Sequence, residues 1–93
     1  WSDDKGKSKM DEVKEAVENA AAAKVSIHEA LKTASGKVSG KVIEAELEKK
    51  AGRLVWEVEV VTAEHKVMEV IIDADSGTVV NVSEEDLKHE RKQ

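Results

Sequence analysis

The stretch Leu54-Val55-Trp56-Glu57-Val58-Glu59-Val60-Val61-Thr62 is the longest β-type run in the chain and holds its only internal tryptophan. In an extended strand successive side chains point to opposite faces. Leu54, Trp56, Val58 and Val60 therefore share one face, and Val55, Glu57, Glu59 and Val61 share the other. The stretch reads as the central strand of a sheet, apolar on one side and carboxylate-rich on the other.

Its neighbours follow the same alternation. Between Lys41 and Lys49, Ile43, Ala45 and Leu47 point inward while Glu44, Glu46 and Glu48 point outward. A four-residue hairpin loop, Lys50-Ala51-Gly52-Arg53, pairs Leu47 with Trp56, Ala45 with Val58 and Ile43 with Val60. Ala63-Glu64-His65 turns the chain into the 66–73 strand, where Met68, Val70 and Ile72 match the parity of the central strand. Asp75-Ser76-Gly77 reads as a three-residue loop with Gly77 in the left-handed position. It leads to Thr78-Val79-Val80-Asn81-Val82, whose Val80 and Val82 extend the buried face.

Helical signals come first in the chain. Residues 1–7 are polar and aperiodic and read as a disordered lead-in. Ser8 with Asp11 is a capping pair, and Met10, Val13, Val17, Ala20 and Ala21 recur at helical spacing to Ala23, a narrow stripe that docks weakly. Ser26 with Glu29 forms a capping box ahead of Ile27, Ala30, Leu31 and Ala34, and Gly36 is placed to close that second helix in a left-handed cap. Trp56 is expected to be largely buried against Leu47, Leu31 and Ile27. Ser83-Glu84-Glu85-Asp86 offers one more capping sequence, opening a charged tail over 83–93 that reads as a frayed turn or disorder. The chain thus reads as α+β, one or two N-terminal helices packed on one face of a three- to four-stranded antiparallel meander. A single domain covers 8–82, divided into a first helix over 8–23 and a core over 24–82.

Composition narrows the function classes. Of the 93 residues 40% are hydrophobic and 38% charged, a globular balance for one small domain. No apolar run is long enough to span a membrane. Without cysteine there is no disulfide or thiolate metal site. A net charge of −5 argues against nucleic acid, whose phosphates need a basic surface. A first residue of Trp1 suggests an engineered fragment or a processed product, such as one that has lost a secretory signal.

Few residues propose chemistry. His28, His65 and His89 fall on a helix start, a hairpin tip and the tail, without ligand spacing, and read as surface histidines. Asp73-Ala74-Asp75-Ser76-Gly77 resembles part of a calcium loop but lacks its third acidic position and bidentate glutamate, so it reads as an Asp- and Gly-rich turn. Asn81-Val82-Ser83 fits a glycosylation sequon placed inside a strand. No serine, histidine and acid fall together and no glycine-rich phosphate loop is present, so neither a catalytic residue nor a cofactor is expected. The outward face is the exception. The pairing sets Glu46 opposite Glu57 and Glu44 opposite Glu59, with Glu69 on the next strand, an arrangement stability alone does not favour. With Val55, Val61, Val67 and Ile71 on that face, it reads either as a solvated antiparallel face or as a recognition surface for a basic protein partner or a second copy of the chain.

Three stretches carry a family resemblance: Val25-Ser26-Ile27-His28-Glu29-Ala30-Leu31, Leu54-Val55-Trp56-Glu57-Val58-Glu59-Val60 and Val70-Ile71-Ile72-Asp73-Ala74-Asp75-Ser76-Gly77-Thr78-Val79. Together they resemble the PepSY domain of secreted peptidase propeptides and YpeB-type proteins. The chain departs from that pattern in having Ser39 rather than proline before Gly40, and Glu64-His65 where the middle hairpin often has Asp-Gly. The resemblance implies a periplasmic or secreted, non-catalytic module that binds or inhibits a peptidase or related envelope protein, and it brings no catalytic residue with it. An alternative is an envelope sensor that responds to a metal cation through its surface carboxylates.

Overall fold

The computed structural model describes residues 8–85. Two helices, α1 (Lys9–Ala22) and α2 (Ile27–Lys37), precede four strands, β1 (Lys41–Lys50), β2 (Arg53–Val61), β3 (Val67–Asp73) and β4 (Val79–Glu84). The strands pair antiparallel in the order β1-β2-β3-β4, so the α+β meander expected from the sequence is the fold. The lead-in over 1–7 and the tail from 86 onward lie outside the described residues.

α2 is set by its capping box. Ser26 Oγ accepts from the Glu29 amide at 3.2 Å while Glu29 Oε1 accepts from the Ser26 amide at 3.0 Å, satisfying two donors that the first turn leaves unpaired. Ala30 and Ala34, one turn apart, are fully buried and let the helix sit close to Val58, Val60, Val70 and Ile72. Removing each of those four side chains from water contributes about 1.5–3 kcal/mol. Leu31, Val42, Ala45, Trp56, Val79 and Val82 pack around them, partly buried. α1 is capped by Ser8, whose Oγ accepts from the Asp11 amide at 3.1 Å, but buries no side chain at all.

The link between the helices is clasped to the sheet. The amides of Lys24 and Val25 both donate to the Ala74 carbonyl at 2.9 Å, and the Ala74 amide donates to Leu54 O at 3.0 Å. Trp56 Nε1 closes the clasp with a 2.9 Å bond to Val25 O. Trp56 is therefore half-buried at the rim, where its ring nitrogen meets the linker, rather than deep beneath the helix. Ile27, expected against it, is 40% exposed.

Two β-bulges correct the expected register. Leu47 pairs with Trp56 and Ala45 with Val58 as the alternation requires, but a shift between Val42 and Glu44 puts Val42, not Ile43, opposite Val60. Ile43 is the extra residue and is 54% exposed. A second shift places Val79 opposite Ile72 and leaves Val80 44% exposed. One inserted residue reverses parity beyond it, which an uninterrupted alternation cannot anticipate. Near the first bulge, Gly40 enters the sheet so tightly that a Cβ there would run into the Val61 carbonyl oxygen and lie 2.9 Å from Val60 Cγ1.

The turns differ in detail from expectation. Gly36 stays within α2, whose C-cap is Val38 in an extended conformation. The β1–β2 loop is only Ala51 and Gly52, with φ of 51° and 78°, the two left-handed positions of a type I′ turn. His65 holds the left-handed position of the middle turn at φ 66°, and Gly77 that of the last at φ 84°. Ser83 and Glu84 continue β4 instead of opening a helix.

Candidate functional site

The face of the sheet turned away from α2 gathers the carboxylates. Glu44 lies opposite Glu59, and Glu59 opposite Glu69, a row of like charge across three strands. Glu46 lies opposite Glu57, and Glu48 opposite Val55. Glu85 follows β4, and its amide bonds to Val67 O and so brings its side chain beside Glu59 and Glu69. Two triads result, Glu46-Glu48-Glu57 and Glu59-Glu69-Glu85, each with carboxylate oxygens within 4.8 Å of one another.

The triads are not equivalent. In the first, Lys50 reaches back from the hairpin and its Nζ meets Glu57 Oε2 at 2.7 Å. That oxygen is sealed from solvent and makes no well-directed hydrogen bond, so the contact is an ion pair. Burial pushes the Glu57 carboxyl up, but Lys50 and hydrogen bonds from Glu48 and Glu69 outweigh it and hold Glu57 below the usual carboxylate range. Glu48 is pushed up to about 7 by its hydrogen bond to Glu57, by burial, and by the charges of Glu57 and Glu46. In the second triad no described cation forms an ion pair. Glu59 is raised by burial and then by Glu44, Glu85 and Glu57, and Glu69 by burial and then by Glu57 and Glu85.

The sequence-derived surface of Glu44, Glu46, Val55, Glu57, Glu59, Val61, Val67, Glu69 and Ile71 thus lies together on one face. Its apolar members are less open than the alternation suggested. Val55 is 1% exposed and forms part of the floor, while Val61, Val67 and Ile71 are half-buried. Lys50 and Glu85 belong to this surface and were missed. The signal for Lys50 was the hairpin itself, since a two-residue turn places Lys50 on the parity of Glu48.

Elsewhere the polar motifs serve the fold. Asp73 Oδ1 accepts from the Asp75 and Ser76 amides at 2.7 and 3.1 Å, which lowers its carboxyl below the ordinary value. Arg53 stands 3.6 Å from Asp73 Oδ2, and Lys24 pairs with Asp75 at 3.2 Å. The aspartates of the calcium-like turn are therefore engaged in holding that turn. His28 and His65 are exposed and far apart in the fold, neither belongs to a ligand-like cluster among the described residues, and His89 lies outside them.

One helix on a four-stranded antiparallel meander, with a packed face and a carboxylate face, defines a small α+β module. The family model for PepSY, described as the peptidase propeptide and YPEB domain, matches residues 24–83, and the chain belongs to that family. PepSY domains are generally non-catalytic, propeptide- or inhibitor-like modules and are typically extracytoplasmic. Among the described residues no helix is long and apolar enough to cross a membrane. No curated protein and no solved structure matches the chain.

Proposed function

We propose that the chain is a non-catalytic, periplasmic or secreted module that binds another protein, a peptidase or a related envelope protein, through the outward face of its sheet. The observation that carries this reading is the row Glu44–Glu59–Glu69. Like charges directly opposite one another destabilise a sheet, and here burial adds to the repulsion on Glu59 and Glu69, with no ion pair from a described cation to relieve it. A basic surface docking there offsets the repulsion. Glu46, Glu57, Val61, Val67 and Ile71 frame the contact, with Val55 beneath it.

The test is capture from the source cell's extracytoplasmic fraction on the immobilised domain, beside a Glu44→Gln/Glu59→Gln/Glu69→Gln variant. A peptidase retained by the parent, released by salt and not held by the variant supports the reading. Equal retention by both across a salt series overturns it, because exposed charges are screened over about 8–10 Å at physiological ionic strength.

A second reading rests on the two triads, whose hard carboxylate oxygens within 4.8 Å of one another suit a divalent cation. On that reading the module senses a metal ion. Thermal stabilisation by calcium or zinc without any protein partner supports it, and identical melts in calcium, zinc and chelator overturn it.

A further inference from the structure

α1 is an amphipathic helix whose apolar stripe is exposed. Met10, Val13 and Val17 are 74%, 60% and 63% exposed. A helix in a folded protein owes most of its stability to packing such a stripe. α1 also precedes the matched family segment, 24–83, so it is an addition to the common core.

The helix side of the sheet leaves a gap beside α2 whose lining is mostly polar. Four strands span about 15 Å at about 4.8 Å spacing, whereas one helix with its side chains is about 10 Å wide. α2 lies over β2 and, to a lesser extent, β1 and β3. Beside it, towards β4, Val79 and Val82 are only half-buried. A groove of about 310 Å³ opens there between α2 and the β3–β4 turn, lined by Val25, Glu29, Lys32, Thr33, Ser76 and Gly77. From Met10 to Val17 the reach is about 10 Å at about 1.5 Å per helical residue, and from Ile27 to Thr33 along α2 it is about 9 Å.

We propose that α1 of one copy packs in this groove of a second copy, and reciprocally, forming a two-fold dimer. Three observations select that occupant. The chain's own α1 leans towards β1, at the far edge of the sheet. Ala23 is extended, and the Lys24 and Val25 amides are tied to Ala74, so folding back would break the clasp. The charges also match in one orientation. Lys14 and Glu18, one turn apart, flank the α1 stripe, and Glu29 and Lys32 lie along the groove. With α1 parallel to α2, Lys14 meets Glu29 and Glu18 meets Lys32, while Met10 covers Val25 and Val17 reaches Thr33. Glu29 Oε1 is held by the Ser26 amide, leaving its other oxygen for Lys14. Finally, each copy offers one helix and one groove, so the exchange closes on itself and counts twice. The contact uses the side of the sheet opposite the acidic face and stands independently of the proposed function.

The chain has no cysteine, which makes a crosslinking test clean. The full chain carrying Val17→Cys and Thr33→Cys, oxidised at micromolar concentration, should form a disulfide-linked dimer. An internally closed monomer would mean that α1 folds back on its own groove, and free thiols would mean that α1 docks in neither; either result overturns the proposal. Independently of any folding effect of the cysteines, Glu18→Lys and Lys32→Glu should each weaken association about ten-fold, as truncating a partly desolvated charge pair does. Combining them should restore the dimer, read by sedimentation equilibrium. A parent chain that stays monomeric throughout the concentration series, or a double variant as weak as the singles, overturns it equally.

Discussion

On one face of the sheet Val58, Val60, Val70 and Ile72 are fully buried beneath Ala30 and Ala34. On the other, Glu44, Glu59 and Glu69 stand in a row with no ion pair to a described cation. The first face is consistent at every level: alternation, small helix residues and burial all lead to the same packing. The second conflicts with cross-strand preference, since a mixture of lysine and glutamate would serve a solvated face better. The difference teaches where the two jobs of the chain reside. Stability is concentrated under α2, and that surplus lets the opposite face keep side chains that do not help it fold.

The comparison breaks most easily at Trp56, which belongs to the packed face and to the clasp. Trp56→Ala removes a half-buried ring and leaves Val25 O without its 2.9 Å donor. A cost of about 3 kcal/mol is expected, most of the stability of so small a domain. Trp56→Phe should recover part of it, keeping the ring but not the N–H. Urea denaturation reads both. A Trp56→Ala midpoint close to that of the parent would show that the packed face does not depend on the clasp.

A pH profile sharpens the contrast without touching the sequence. Glu48, raised to about 7, and Glu59 and Glu69, also raised, bind protons more tightly in the folded chain than in the unfolded one. Their contribution is fully present below about 4.5, the unfolded value, and is lost as pH rises through each raised folded value, about 7 for Glu48. Glu57 and Asp73 are lowered and act in the opposite sense, losing their contribution only at more acid pH. The melting temperature should therefore be higher at pH 5.5 than at pH 8 and fall again in stronger acid. Because no ionisable group is buried in the packed face among the described residues, a profile flat from pH 5.5 to 8 would mean that the carboxylates do not strain the fold.

Much of this arrangement was legible in the sequence because period-2 alternation and capping boxes are local. Leu47 opposite Trp56, Glu46 opposite Glu57, and the Ser26–Glu29 box required nothing beyond neighbouring residues. The misplacements of Ile43 and Val80 arose where a bulge inserted a residue, and the space that Gly40 needs is set by Val60 and Val61, twenty residues away. The carboxylate face was visible as an alternation, but its division into a cation-relieved and an unrelieved half was not. That division depends on which way Lys50 turns just before a two-residue loop, and on the bond from the Glu85 amide to Val67 O that holds Glu85 beside the sheet past the end of β4.

The division supplies the smallest and most selective expectation. Glu59→Gln removes one charge from a row in which Glu44 and Glu69 face it directly and no described cation forms an ion pair with it. The neutral amide keeps the shape, so the folded chain should gain about 0.5 kcal/mol, the scale of one cross-strand pair. Glu57→Gln deletes the same charge two residues along β2, but there Lys50 lies 2.7 Å away. Losing that ion pair offsets the relieved repulsion from Glu46 and Glu48, and stability should stay level or fall slightly. The two substitutions are chemically identical and lie on the same face of the same strand, so generic loss of negative charge predicts equal effects. Raising the salt concentration should shrink the Glu59→Gln gain, since screening already relieves part of the repulsion in the parent. Paired denaturant melts at low and high salt measure both. If the two variants shift the midpoint equally, Lys50 does not divide the face, and the row Glu44–Glu59–Glu69 loses its claim to be the strained half on which a partner would act.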